Sequence, residues 1–106
     1  MSPVLNIAAY KFVRIEDRIA LRERLLAELD RLGLKGTVLL AEEGINLFLA
    51  GPPERMEAAL CWLRADPRFA DLHAKRSGSD TVPFRRLRVR LKREIVTMGS
   101  ADVDPT

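Results

Sequence analysis

Cysteine is nearly absent from this 106-residue sequence; Cys61 is the single thiol. No intrachain disulfide can form, which excludes a small disulfide-stapled extracellular framework. Histidine also occurs once, as His73, so an imidazole-rich metal site is excluded as well. No apolar run reaches the roughly 18 residues that a membrane span needs. The opening MSPVLNIAAYKF has neither a basic start before an apolar core nor a small-residue cleavage site. A glycine-rich phosphate nest and the glycine–aromatic signature of an RNA recognition motif are missing too. The expectation from these absences and from the length is one soluble, cytoplasmic domain without a membrane partner.

What is present can build a modest core: 47% of the residues are hydrophobic and 31% are charged, outside the range of disordered chains. The net charge of +3 hides an uneven distribution. Residues 84–93, FRRLRVRLKR, hold Arg85, Arg86, Arg88, Arg90, Lys92 and Arg93; without those six the chain would have 12 cations against 15 acids. A cluster of this density attracts polyanions over about a Debye length, roughly 8–10 Å.

Residues 4–13 are apolar and β-rich, with Leu5, Ile7 and Ala9 on one side and Ala8, Tyr10 and Phe12 on the other, a strand buried on at least one face. Asp17 stands where it can cap a helix whose stripe is Leu21, Leu25, Leu29 and Leu32, and Gly33 stops that helix. Two apolar runs, 35–41 and 45–50, flank Glu42, Glu43 and Gly44. Gly51-Pro52-Pro53 then opens a second helix with Met56, Ala59, Leu60 and Leu63 as its stripe, ended at Asp66-Pro67. Residues 72–77 read as a short strand. Leu87, Val89 and Leu91 alternate with Arg86, Arg88, Arg90 and Lys92 at the two-residue period of a strand. The order strand, helix, strand, strand, helix, strand, strand predicts an α+β ferredoxin-like (acylphosphatase-like) sandwich. It is a βαββαβ unit with an extra C-terminal strand, and two helices cover one face of an antiparallel sheet.

Several residue groups are candidates for function. The pair Glu42-Glu43 reads as the wet tip of a hairpin, with Gly44 supplying positive φ; no metal site is expected there. Asn46 could orient a ligand or bond the local backbone. The cationic strand is either a charged sheet edge that discourages aggregation or a surface for phosphates. Four cations on one face, about 6.6–6.8 Å apart, repel one another, and a nucleic-acid backbone relieves that repulsion; an acidic partner domain is the rival. Tyr10, Phe12 and Phe48 could stack on bases, but core or inter-domain packing suits apolar aromatics better. Cys61, mid-helix between Leu60 and Trp62, reads as packing rather than a reactive thiolate. His73 has no sequence-adjacent partner. Arg14 follows the first strand where a phosphatase of this fold holds its phosphate, without the nest.

The segments AAYKFVRIED, LGLKGTVLLAEEGIN, LRADPRFAD and VRLKREIVTMG follow one another at spacings that resemble the N-terminal domain of the rhodanese-like tRNA uridine hydroxylases. The resemblance covers residues 4–99 and matches best over 35–46 and 88–99, where it implies a family motif at Lys35, Glu42, Glu43, Gly44 and Asn46 without assigning those residues a task. It implies oxygen-dependent hydroxylation of wobble uridine in bacterial tRNA, by a catalytic cysteine in a following rhodanese domain. Cys61 does not match that cysteine. The expectation is therefore a ferredoxin-like domain at 1–99 and a linker at 100–106 toward a rhodanese domain. This domain would carry no chemistry and no cofactor of its own; the sequence does not name a cofactor for the full-length enzyme. Its task would be to bind or position tRNA. A structural module packed on the rhodanese domain without RNA contact is the alternative, and a small sulfurtransferase or phosphatase is a third reading.

Overall fold

Leucine spacing builds the first helix. The computed structural model describes residues 3–92, and in it α1 spans Arg18–Arg31 with Leu21, Leu25 and Leu29 buried. Gly33 turns the chain at φ 73°, a conformation other residues adopt only with strain. Helix α2 spans Pro53–Arg64 and buries Met56, Ala59, Leu60 and Leu63. Its proline lies in the first turn, where a missing N–H costs nothing. Cys61 is exposed, contrary to the packing expected of it. At 100° per residue it falls off the stripe set by its neighbours Leu60 and Leu63.

Among the described residues five strands form one sheet: β1 Val4–Phe12, β2 Lys35–Ala41, β3 Gly44–Gly51, β4 Ala74–Ser79 and β5 Leu87–Leu91. Their spatial order is β4-β1-β3-β2-β5. The first four strands pair antiparallel and, with both helices, make the βαββαβ unit of the ferredoxin-like sandwich. β5 adds to the outer side of β2 in parallel, so the complete sheet is mixed. Strands β4 and β5 occupy opposite edges and run in opposite directions. The short connection 80–86 therefore crosses about 19 Å of sheet at one end. β4 begins two residues later than the pattern indicated; Leu72, ahead of it, is buried instead.

Alternation assigns the two faces. Ile7, Ala9, Val38, Leu40, Ile45, Leu47, Leu49, Ala74 and Val89 belong to the core under the helices. The residues between them point to the other side, which no helix covers among the described residues.

A clasp closes the helix side. The Arg68 guanidinium donates to both oxygens of Asp66 (3.1 and 2.7 Å) and to Asp17 (2.6 Å), and lies 5.4 Å from the ring centre of the buried Phe69. Asp17 sits at the N-cap of α1, but its carboxylate makes no cap bond; Arg24 and Arg68 take it instead. The hydrogen bonds from Arg68 hold the Asp17 and Asp66 carboxyls below their ordinary values. A depressed carboxyl contributes stability above its unfolded value, near pH 4, and loses it as pH falls through the folded value. Arg68→Ala is thus expected to cost about 1–2 kcal/mol at pH 7, discounted because the cluster is partly solvated. The penalty should shrink as pH falls below the ordinary carboxylate range and the two depressed partners take up protons. Urea unfolding of both proteins at pH 7 and at acid pH checks this. An equal penalty at both would mean that the clasp is packing rather than charge.

Candidate nucleic-acid interface

The hairpin tip resolves first. Ala41 pairs with Gly44, so Glu42 and Glu43 are the two turn residues between β2 and β3. Both are exposed. Gly44 does not take positive φ; among the described residues only Gly33 and Gly36 do. What demands glycine at 44 is closeness to β1: a Cβ there would stand 2.4 Å from the Lys11 carbonyl oxygen. The tip folds back on the chain after β1, where Val13 N–H donates to Glu43 O (3.0 Å) and Ile15 N–H to Glu42 O (2.8 Å). Those two amides belong to the loop where a phosphatase of this fold would cradle phosphate. They are committed to the hairpin, and Arg14 beside them is paired with Glu16 at 3.0 Å. No cluster of three or more metal-ligating side chains occurs among the described residues.

The cationic segment forms only partly as a strand. Arg88 and Arg90 lie within β5; Arg85 and Arg86 precede it in a bend and Lys92 follows it. Arg93 lies outside the described residues, as does the expected boundary at 99–100. Val89 is buried (2% exposed) against the helix side, and Arg22 Nε donates to its carbonyl at 2.7 Å. Arg88 and Arg90 therefore point to the open face, beside Thr37 and Leu39 of β2. Leu91 is exposed, so the apolar half of β5 is less covered than its alternation suggested. Arg85, Arg86, Arg88 and Arg90 are exposed, and none of their side chains is hydrogen-bonded or ion-paired among the described residues. β5 is the outermost strand, so its cations also guard an edge against pairing.

Register extends the open face across the sheet. One row reads Lys75 on β4, Ala8 on β1, Phe48 on β3, Thr37 on β2 and Arg88 on β5. The next places Tyr10 beside Asn46, Leu39 and Arg90. Lys35 lies on the same face at the start of β2, opposite Ala50. Among the described residues no strand residue is acidic. The open face thus carries Lys35, Lys75, Arg88 and Arg90 without a carboxylate from any strand. Cations grouped on one face without strand carboxylates between them favour the approach of a polyanion.

Tyr10 and Phe12 are 42% and 51% exposed, Phe48 is half-buried, and all three share this face. They are not core, contrary to one branch of the sequence reading. Asn46 is buried (3% exposed); it sits between Tyr10 and Leu39 in one row of the sheet rather than standing free at the hairpin. Of the motif residues, Lys35 and Asn46 reach the open face, Glu42 and Glu43 stay at the tip, and Gly44 permits the close approach of β1. Sequence reasoning missed Lys75. The available signal was alternation: Lys75 lies two residues from Ser77 and opposite Ala8, on the side away from Ala74.

The residues 4–95 match the model of a family described as UPF0176 acylphosphatase like domain. The tRNA uridine(34) hydroxylase of Bordetella petrii is 58% identical over 105 residues, spanning 99% of this chain and 42% of the relative. The protein of the same name from Ralstonia nicotianae is 62% identical over 95 residues, spanning 90% of this chain and 34% of the relative. The chain thus spans about two fifths or less of the length of these curated relatives. Among solved structures, the BLUF protein BlrB in its dark state superposes with a TM-score of 0.68 at 19% identity, over 86% of this chain and 74% of that one. The BLUF domain of BlrP1 gives 0.71 at 21%, over 88% and 66%. At such identity these likenesses show the fold alone.

Proposed function

Because the chain belongs to the UPF0176 acylphosphatase-like domain family, we propose that it is the front domain of a tRNA uridine hydroxylase and that its task is to hold tRNA. Oxygen-dependent hydroxylation of the wobble uridine would take place elsewhere in the polypeptide, on a rhodanese domain reached through residues 100–106. The observation that carries the reading is the charge layout of the sheet. Among the described residues every strand is free of acids, and Arg88, Arg90, Lys35 and Lys75 stand on the uncovered face. A large substrate with one reacting ring needs contacts of this kind, which fix position and carry no sequence information.

The test is binding of a bacterial tRNA transcript to the chain across a salt series. Four to five phosphate contacts give a slope of log affinity on log salt of about −3 to −4, or roughly a hundred-fold loss from 50 to 200 mM. Binding that ignores salt, or no binding at the lowest salt, rejects the proposal.

One observation favours a second reading, in which the open face packs on the rhodanese domain without touching RNA: Tyr10 and Phe12 are exposed on it. On that reading the arginines meet carboxylates of the second domain, and the full-length protein shows no salt-dependent tRNA affinity through this face.

A further inference from the structure

The edge of the sheet opposite the arginine strand holds a notch. Pairing of β1 with β4 ends at Ala9 and Ala74, whereas β1 continues to Phe12. Beyond that point the outer side of β1 has no neighbouring strand among the described residues. An open-sided cavity of about 620 Å³ lies there, lined by Ala8, Tyr10, Phe12, His73 and Lys75 among others. Its volume is in the range of about 300–1,000 Å³ usual for small-ligand sites.

The lining combines flat apolar surface with donors. Tyr10 and Phe12 pack edge to face, their ring centres 5.7 Å apart and their planes at 77°, and roughly half of each residue remains exposed. The side chains of Lys75 and His73 have no hydrogen-bond or ion-pair partner among the described residues. Lys11, which also lines the cavity, is already taken by Asp71 at 2.8 Å. Exposed rings beside an unneutralised ammonium suit a ligand with a π-face next to an anionic group. A nucleotide unit of single-stranded RNA has that composition.

Position supports the same occupant. Lys75 shares a row with Phe48 and Arg88, four strand spacings or about 19 Å apart at the ends. A strand of RNA lying across the sheet would meet cations at both edges and rings between them. An apolar protein segment would leave those cations without partners. We propose that the Tyr10–Phe12 notch takes one unstacked nucleobase of the RNA held on the open face, with Lys75 on a flanking phosphate. The inference rests on the tRNA-holding reading above. Stacking on a ring tolerates any base, so the notch selects unpaired nucleotides and not a sequence.

Fluorescein-labelled oligouridylate is the probe, titrated against the wild-type chain, Tyr10→Leu/Phe12→Leu and Tyr10→Phe/Phe12→Tyr. Removing both rings is expected to weaken binding about ten-fold or more without changing the salt slope, while the exchanged aromatics keep wild-type affinity. An oligouridylate bearing one 5-iodouridine should cross-link to Tyr10 or Phe12. Leucine variants that bind like wild type, or adducts that map only elsewhere, overturn the notch and leave the cationic grip standing. Absence of RNA binding by the wild-type chain overturns the grip itself. Adducts given by the chain but lost in the full-length protein mean that the notch is covered by a neighbouring domain, which also overturns it.

Discussion

Gly36→Ala is expected to destabilise the domain by about 4 kcal/mol or more, a large share of the 5–15 kcal/mol typical of small folds. Two independent costs combine. Gly36 has φ 132°, a backbone region that side chains rarely enter. A Cβ there would stand 1.9 Å from the Phe48 carbonyl oxygen and 2.9 Å from Leu49 Cα. The obstacle is backbone of β3, so no rotamer change relieves it. Gly36 is also where β2 joins both neighbours: it pairs with Leu49 and Leu87, and its N–H donates to Arg86 O at 2.9 Å. Displacing it loosens β5 and the arginines it carries, so weaker RNA binding should accompany the loss of stability.

Gly33→Ala is the control. Gly33 shares the positive φ, at 73°, but its Cβ would meet nothing within 4 Å. It should cost only the conformational term, about 1–2 kcal/mol. Urea midpoints at constant slope compare the two. If they fall within about 1 kcal/mol of each other, the close approach of β3 is not what holds position 36.

Arg86→Ser/Arg88→Ser/Arg90→Ser is expected to lower tRNA affinity several hundred-fold near 0.1 M salt. Each lost phosphate contact removes the release of about 0.9 counterion, worth roughly eight-fold at that concentration. The salt slope should flatten by about one unit per arginine. Stability should barely change, within about 0.5 kcal/mol, because these side chains are exposed and removing neighbouring like charges relieves repulsion. That combination separates the RNA reading from the packing one. If the full-length triple variant binds tRNA normally but its two domains come apart more easily under protease, the arginines serve the domain contact.

The glycine result follows from backbone geometry alone and holds whatever the domain binds. The arginine result depends on an occupant for the open face, and the notch at Tyr10 and Phe12 depends on that occupant in turn.

Periodicity alone determined the fold class here. The leucine stripes of 21–32 and 56–63 and the two-residue alternation at 87–91 are local patterns, set by 3.6 and 2 residues per repeat, and they survive in the structure. The cationic strand was legible for the same reason. Three things were not. Alternation puts Tyr10, Phe12 and Phe48 on one face but does not say which face the helices cover, so general aromatic burial favoured core or inter-domain packing for them. Glycine composition does not separate positive φ from close approach; Gly44 needs the second, and Gly36 needs both. The order of the strands, with β4 and β5 at opposite edges, comes from pairings between residues far apart in the chain. That order makes a cationic border on each side of an aromatic centre, and it exists only once the sheet has closed those long-range pairs. No neighbouring residue in the sequence encodes it.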